Sequence, residues 1–215
     1  MDVLHQIRQL LQRPLPGIEA HREFVPTIPD AVTRLQAPPN TARKSAVVVP
    51  LLVSAQNDIE VVFTVRSEHL SSHKGQISFP GGRLEDGEDA ITGGLRELQE
   101  EIGTDTSTVE FIGTLSPLFI PPSNSAVEPI VCVIGNTGGF AVNEAEVSEV
   151  LRVPLRFFLD PTNLVRAPMP LYGKNVLVPQ WHIHPTTPLW GATAMILNEF
   201  VWITRTAIQM ERVVD

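Results

Sequence analysis

The chain has 215 residues, 43% of them hydrophobic, and a formal net charge of −8, which is enough material for one well-buried domain. The acidic excess argues against a nucleic-acid partner, because binding a phosphodiester backbone requires a broad surface of Lys and Arg. A single cysteine, Cys132, excludes an intramolecular disulfide and favours a reducing compartment. No stretch has the roughly 20 apolar residues of a membrane span, and the N-terminus lacks signal-peptide features. We therefore expect a cytoplasmic protein without a membrane partner.

Residues 1–37 predict a short helix followed by a proline-rich arm. Asp2 can cap a helix whose apolar residues share one face (Val3, Leu4, Ile7, Leu10 and Leu11). The six prolines from Pro14 to Pro39 end this helix and predict an extended segment. We expect this arm to pack on the surface of a second unit, residues 38–215. A role in homodimer formation is the alternative.

Residues 45–65 predict a β-hairpin. The run Ser45–Ser54 is rich in β-branched residues and is typical of a strand buried on both faces. Pro50 within it indicates a sheet edge or a bulge, because proline cannot donate a hydrogen bond. Asn57 and Asp58 mark a turn, and Ile59–Val65 predicts the returning strand.

A helical segment places three carboxylates on one face, since Glu97, Glu100 and Glu101 stand at positions i, i+3 and i+4. No basic residue is expected to oppose them on the same turns, and like charges at this spacing cost about 0.2–0.5 kcal/mol per pair. A hard divalent cation would offset that cost, because Mg²⁺ and Mn²⁺ prefer oxygen ligands. A solvated acidic face is the alternative. Gly93 and Gly94 in the same segment indicate close packing against a neighbouring backbone or a later helix start.

The rest of the chain predicts an α+β fold. Two strands are expected at Val109–Leu115 and Ala126–Ile134, and the Pro- and Ser-rich connection between them could rim a pocket. Residues Asn143–Leu151 predict an acidic turn or short helix. A strand at Val176–Ile183 precedes a last helix from about Gly191 to Met210. Strands before, between and after two long helices indicate a mixed sheet between helices.

One segment resembles the signature of the Nudix hydrolases. Its identities follow the order Gly-x5-Glu-x7-Arg-Glu-aliphatic-x-Glu-Glu-x-Gly, namely Gly82, Glu88, Arg96, Glu97, Glu100, Glu101 and Gly103. With each residue type used at roughly 5–8%, such a match arises by chance on the order of once in 10⁸ starting positions. The resemblance implies a Nudix-type α/β/α sandwich with a mixed β-sheet and a loop-helix-loop catalytic motif.

The resemblance also implies which residues bind metal. Glu97, Glu100 and Glu101 would hold Mg²⁺ or Mn²⁺ on the diphosphate of a small nucleotide substrate. Gly82 would leave room where the backbone approaches the metal or the ligand. Metal-assisted attack of water on one phosphorus would then split the diphosphate linkage.

Other motif residues would have structural or proton-transfer roles. Arg96 would pair with Glu88 and fix the loop against the helix, and Gly103 would belong to the structural part of the motif. The general base would come from within the motif, through Glu100 or Glu101, or from Glu146 in the later acidic segment. Glu149 is the second candidate in that segment. Exposure on a solvated surface is the alternative for both of these later residues.

A second motif resembles the coenzyme A pyrophosphatase branch of the family. It comprises Phe63–Ser67, Gly75 and Phe79–Gly82, and it implies that Arg66 holds the diphosphate. The branch usually carries an arginine where this chain has Ser71, and a hydroxyl cannot make a bidentate contact to phosphate. The implied reaction converts coenzyme A or acyl-coenzyme A to 3′,5′-ADP and (acyl-)4′-phosphopantetheine.

Ser71 leaves alternatives open. Lys74, Arg43 or Lys44 could supply the missing positive charge, and His73 could touch phosphate or be merely exposed. ADP-ribose or a dinucleotide would be the substrate if the charge is not replaced. A non-catalytic nucleotide-binding module is a further alternative, although such modules usually lack one of the metal-binding glutamates.

Four further residues have competing interpretations. His182 and His184 have the spacing of metal ligands on a strand, but an ordinary polar face explains them as well. Trp190 could pack against the helix start or stack on an adenine. Cys132 lies in an apolar run, which predicts a buried and inert thiol.

Overall fold

A computed structural model of the chain describes residues 3–26, 37–70, 72–135, 139–171 and 173–214. Asp2, the predicted cap of the first helix, and Ser71 lie outside the described residues, as does the middle of the proline-rich arm. The helices are α1 (Val3–Leu10), α2 (Ile18–Arg22), α3 (Ala90–Ile102), α4 (Leu155–Leu159) and α5 (Gly191–Val214). The strands are β1 (Arg43–Val53), β2 (Ile59–Arg66), β3 (Ile77–Ser78), β4 (Gly81–Arg83), β5 (Glu110–Thr114), β6 (Leu118–Ile120), β7 (Ser125–Ile134), β8 (Val147–Pro154), β9 (Leu164–Leu171) and β10 (Lys174–Trp181).

The strands form one mixed sheet and one separate hairpin. The main order is β3-β2-β1-β7-β5, with β4 beside β1, β6 beside β7 and β8 beside β2. The long central pair, β1 with β7, is parallel, whereas the other pairs in this sheet are antiparallel. Among the described strands, β9 and β10 pair only with each other, and Trp181 of β10 forms a single bridge with Leu189. The predicted mixed sheet is therefore confirmed.

Helices cover both faces of this sheet. Alternate residues of β1 point to opposite sides, so Val48 and Leu52 belong to an apolar cluster with Leu98 of α3. Val49 and Leu51 belong to a larger cluster that includes the apolar face of α5. This arrangement confirms the predicted α/β/α sandwich, and it places the glutamate-bearing helix and the last helix on opposite faces of the sheet.

Pro50 lies in the central strand, so the predicted sheet edge is wrong. The same side of β1 is occupied by β4 at residues 45–47 and by β2 at residues 51–53. The Val48 amide donates to the carbonyl of Pro80 on that side, and backbone donors alternate along a strand. The nitrogen of Pro50 therefore faces the gap between the two short partners, where no donor is required.

Helix α3 begins and ends at defined caps. The Asp89 side chain accepts a hydrogen bond of 2.7 Å from the Thr92 amide, an N-cap interaction. Gly103 ends the helix in the left-handed region with φ of 69°, the conformation that favours glycine at this position. The helix thus starts before Gly93 and Gly94, and the alternative of a later start is wrong.

The two internal glycines of α3 permit close packing. A Cβ at Gly93 would clash with Leu84, and one at Gly94 would lie 2.8 Å from Ile130 Cδ1. The predicted close packing is present, but the neighbouring atoms are side chains and not backbone. Burial of these contacts offsets the helix propensity that glycine lacks.

Three other segments differ from the sequence-based expectations. The arm contains a short helix, α2, which packs with α1 against α5. Residues 143–151, predicted as an acidic turn or short helix, form a turn that leads into β8, because pairing with β2 outweighs local propensity. Strand β9 was not predicted, since its prolines are typical of a loop.

Within the described residues, no helix has the length and apolar character to cross a bilayer.

Candidate active site

A cleft of about 680 Å³ opens beside the end of β2, a volume usual for a small-molecule site. Its polar wall includes Arg43, Arg66 and His73. The rest of its lining comes from the connection between β5 and β7, from the β9–β10 hairpin and from the first turns of α5. The Pro- and Ser-rich connection therefore rims a pocket, as predicted.

Three carboxylates meet next to this cleft. Oxygen atoms of Glu97, Glu101 and Glu146 all lie within 4.8 Å of one another. Glu97 and Glu101 stand on successive turns of α3, and Glu146 comes from the turn before β8. These three residues, named the carboxylate cluster below, are the single group of this kind that the described residues contain.

Glu101 is the most deeply buried member of the carboxylate cluster. Its side chain is 2% exposed, and its Oε2 atom has no hydrogen-bond partner among the described residues. Burial raises the pKa of Glu101 to about 8; the charge of Arg66 opposes this shift, whereas Glu97 and Glu146 increase it. Burial also raises the pKa of Glu97, against the effect of Arg96. A carboxylate buried in this way can remain ionised at neutral pH when a cation lies beside it, so the cluster fits a site for Mg²⁺ or Mn²⁺.

Two glycines let the backbone of β4 approach these carboxylates. A Cβ at Gly82 would clash with the Glu97 carboxylate. Gly81 has φ of 151° and donates a backbone hydrogen bond to Glu101. Both glycines also line the cleft. The carboxylate cluster therefore adjoins the cleft through β4.

Arg96 holds the loop that runs from Arg83 to Glu88 against α3. Its Nε and Nη2 atoms each donate to Glu88 at 3.0 Å, and Nη2 also donates to the carbonyl of Arg83. This contact lowers the pKa of Glu88. The Nη1 atom donates to Glu97 and Glu100, again at 3.0 Å. The expectation that no basic residue opposes the glutamates is therefore wrong, because Arg96 contacts both its neighbour Glu97 and, one turn further along α3, Glu100.

Glu100 lies apart from the carboxylate cluster. Its side chain is 53% exposed and contacts Arg96, whereas Glu146 occupies the third position beside Glu97 and Glu101. The three glutamates predicted on one face are thus separated: two point to the cleft side, and the third points toward solvent. The assignment of Glu100 as a metal ligand or base stays a prediction.

Arg96→Lys is expected to lower the free energy of unfolding by about 2 kcal/mol. An ammonium group cannot make the parallel contacts to Glu88 while also bonding Glu97, and the Arg96 side chain is only 24% exposed. Urea unfolding measures the change. Arg22→Lys is the control, because Arg22 contacts Glu19 at an exposed site, where a change below about 0.5 kcal/mol is expected. Equal values for the two variants would contradict this account of the loop.

The predicted substrate residues divide into two groups. Arg66 is half-buried at the end of β2, lines the cleft and has its Nε atom without a partner among the described residues. Arg43 and His73 also line the cleft, and His73 Nδ1 lies 2.9 Å from Gln76. Lys74 and Lys44 are exposed and do not line the cleft. Arg43 is therefore the better placed candidate to replace the missing charge.

The other candidates lie outside the carboxylate cluster. His182 contacts Gln180, and His184 contacts Glu149 at 3.2 Å, so neither histidine joins a metal-binding group within the described residues. Trp190 is half-buried and lines the cleft at the start of α5. Burial raises the pKa of Cys132 to about 12, which agrees with an inert thiol.

Sequence reasoning missed part of the cleft wall. Pro170 and Leu171 of β9 line the cleft, but the β9–β10 hairpin was not predicted. A buried network around Glu199 was also missed, because its partners lie more than 80 positions away in sequence. An isolated Glu within an apolar helical face was the signal that could have found it.

Comparison with known proteins identifies the family. Residues 42–170 match the NUDIX domain model. The chain is 35% identical over 162 residues to Nudix hydrolase 22, chloroplastic, of Arabidopsis thaliana, an alignment that covers 72% of this chain and 53% of the relative. It is 34% identical over 160 residues to the uncharacterized Nudix hydrolase NudL of Escherichia coli K12, covering 73% and 80%. The chain thus spans about half the length of the plant relative.

A solved structure agrees with the fold. The Nudix hydrolase RenU of M. smegmatis superimposes with a TM-score of 0.50 at 13% identity, covering 76% of this chain and 87% of that one. This identity supports a shared fold alone. Together, the domain match, the sequence relatives and the motif from Gly82 to Gly103 place the chain in the NUDIX family.

Proposed function

We propose that this chain is a metal-dependent pyrophosphohydrolase that cleaves the diphosphate linkage of coenzyme A or acyl-coenzyme A. The products would be 3′,5′-ADP and (acyl-)4′-phosphopantetheine. One observation carries the proposal: the buried Glu101 carboxylate, with an oxygen lacking a partner, stands beside Glu97 and Glu146. Its neighbour Arg66 lines the adjoining cleft. Buried carboxylates beside an arginine suit metal-assisted diphosphate hydrolysis, because the carboxylates can hold the metal and the guanidinium can bind phosphate.

The carboxylate cluster would hold the metal. Glu97 and Glu101 provide oxygen ligands from α3, and Glu146 provides a third from the turn before β8. A bound Mg²⁺ or Mn²⁺ would screen the phosphate charge and supply an acidified water. The Gly82 position supports this role, because it lets the Glu97 carboxylate lie directly against the β4 backbone.

The chain's own residues orient the substrate and accept a proton. Arg66 would bind the diphosphate, since its guanidinium lies where the cleft meets the carboxylate cluster. Glu146 is the first candidate for the general base. Asn143 Nδ2 donates to Glu146 Oε1 at 3.3 Å, which orients that carboxylate. Glu101 is the alternative within the motif, because burial raises its pKa into the range of a base.

The cleft supports a substrate larger than a simple diphosphate. Beyond the polar wall, apolar groups such as Phe119, Trp190 and Ile196 line the volume of about 680 Å³, and such walls bind extended organic groups. The motif at residues 63–82 supports coenzyme A. Ser71 favours the second candidate, ADP-ribose or a dinucleotide, unless Arg43 replaces the missing charge. A cytoplasmic location and a homodimer stay predictions.

Product analysis by mass tests the proposal. Purified protein is incubated with Mg²⁺ or Mn²⁺ and coenzyme A, acyl-coenzyme A, ADP-ribose and NADH. Selective release of 3′,5′-ADP is expected, and Arg43→Gln is expected to reduce it if Arg43 compensates for Ser71. Cleavage of ADP-ribose with coenzyme A intact would overturn the substrate and retain the mechanism. No turnover of any compound would favour the non-catalytic nucleotide-binding module.

A further inference from the structure

Glu199 of α5 lies in a buried network that joins three parts of the chain. Its side chain is 0% exposed, and both oxygens accept hydrogen bonds. Oε1 accepts from the Gly17 amide at 2.8 Å and from Ser116 Oγ at 2.6 Å. Oε2 accepts from the Ser116 amide at 2.9 Å and lies 3.3 Å from His21 Nε2. These four residues are named the Glu199 network below.

Both oxygens of the buried Glu199 carboxylate have hydrogen-bond partners within the Glu199 network. Burial raises the pKa of Glu199, but hydrogen bonds from His21 and Ser116 outweigh it and lower the pKa below the usual range. A buried ion pair can often be replaced by apolar residues of similar volume, but an apolar residue at position 199 would leave the amides of Gly17 and Ser116 without their acceptor. The Glu199 carboxylate therefore fixes α5, the N-terminal segment and Ser116 relative to one another.

Those partners stand next to the walls of the cleft. Ser116 lies two residues before β6, and the segment from Leu118 to Ser123 lines the cleft. Trp190 and, on α5, residues 191–193, 195 and 196 supply another part of the lining, and Glu199 follows one turn after residue 196. The Glu199 carboxylate thus connects these two parts of the lining through the two hydrogen bonds from Ser116.

The N-terminal segment belongs to the same connection. Gly17 has φ of 53°, and a Cβ there would lie 3.1 Å from Ser116 Oγ. Further along this segment, Asn198 Nδ2 donates to the Ala20 carbonyl at 2.8 Å and to Glu23 at 2.9 Å. The segment around α2 is therefore fixed to α5, and the Glu199 network fixes it to the start of the cleft rim.

We infer that Glu199 is a positioning residue, which sets the distance between the Ser116–Ser123 rim and the first turns of α5 and thereby the affinity for substrate. The inference rests on the proposed function, because it assigns this cleft to the substrate. Glu199 belongs to the α5 side of the sheet, whereas the carboxylate cluster uses α3 on the opposite face. Loss of the Glu199 charge should therefore affect binding more than the chemical step.

Steady-state kinetics of Glu199→Gln test the inference. The neutral amide keeps the shape of the side chain but cannot accept all four hydrogen bonds. We expect KM to rise by about tenfold while kcat changes by no more than about twofold. Ser116→Ala is expected to change KM in the same direction, because it removes the 2.6 Å contact to Oε1. A lower kcat and a lower melting temperature, with KM unchanged, would overturn the inference.

Hydrogen exchange provides a readout that does not depend on catalysis. In free Glu199→Gln protein, the amides of the non-proline residues within 116–123 are expected to exchange faster than in the wild type, whereas those of α3 are unchanged. Asn198→Ala is the matched control, since Asn198 contacts the N-terminal segment but not Ser116. It should lower the melting temperature without changing exchange at 116–123. Unchanged exchange in Glu199→Gln would overturn the inference, whereas a silent wild-type enzyme would overturn only the proposed substrates.

Discussion

Glu101→Gln is expected to lower metal-dependent kcat by about a thousandfold and to leave the fold intact. The substitution removes the buried charge that the cation would neutralise, while the amide occupies the same volume. Kinetics with saturating Mg²⁺ measure the loss, and circular dichroism checks the fold. The same logic predicts large losses for Glu97→Gln and for Glu146→Gln, the other members of the carboxylate cluster.

Glu128→Gln is the matched control for this loss. It makes the same change in charge on β7, where Glu128 is exposed, and we expect activity within about twofold of the wild type. If Glu101→Gln retained most of the wild-type turnover, the carboxylate cluster would not be the catalytic centre. Comparable losses in both variants would show that net charge, and not position, determines the rate.

The metal-free protein is expected to become less stable as pH rises from about 5 to 8. The pKa of Glu101 is about 8 in the folded state, against a reference of 4.5 for the unfolded chain. Between these values the folded state retains a proton that the unfolded state has released, so raising the pH favours unfolding. The free energy of unfolding should fall by on the order of 3 kcal/mol over this range through Glu101 alone.

Urea unfolding in the presence of a chelator measures this pH dependence. Glu101→Gln should lack the Glu101 part of the slope and should exceed the metal-free wild type in stability at pH 8. Glu128→Gln should retain the slope. Saturating Mn²⁺ should restore wild-type stability at pH 8, because the cation replaces the proton as the partner of the carboxylate. Identical slopes in the wild type and Glu101→Gln would contradict the buried state of this group.

The sequence was most informative where local signals and the fold agree. The hairpin of β1 and β2 follows from two β-branched runs and the turn at Asn57, and α3 follows from the helical spacing of the motif. The sequence did not predict strands that form only by pairing with other segments of the chain. The sequence predicts an acidic turn where β8 begins, because local residues do not indicate the pairing of β8 with β2. The prolines of β9 are typical of a loop, so the sequence does not predict the β9–β10 hairpin.

The candidate site shows the same division. Helical spacing placed Glu97 and Glu101 correctly next to each other, because i and i+4 positions share a face. Spacing could not separate Glu100 from them, since only the packing of α3 on the rest of the fold leaves Glu100 exposed and Glu97 and Glu101 close to Glu146. Glu146 was a candidate by its acidic surroundings alone, and only the turn before β8 brings it to the carboxylate cluster. The Glu199 network depends on contacts between distant segments, which a single sequence does not reveal.

Titration with Mn²⁺, followed by the paramagnetic resonance signal of the free ion, tests the central claim most directly. Wild-type protein and Glu128→Gln are expected to bind the ion with the same affinity, whereas Glu101→Gln is expected to bind it at least about tenfold more weakly. That result would establish the carboxylate cluster as the metal site independently of the substrate. Equal Mn²⁺ affinity in Glu101→Gln and the wild type would contradict the account.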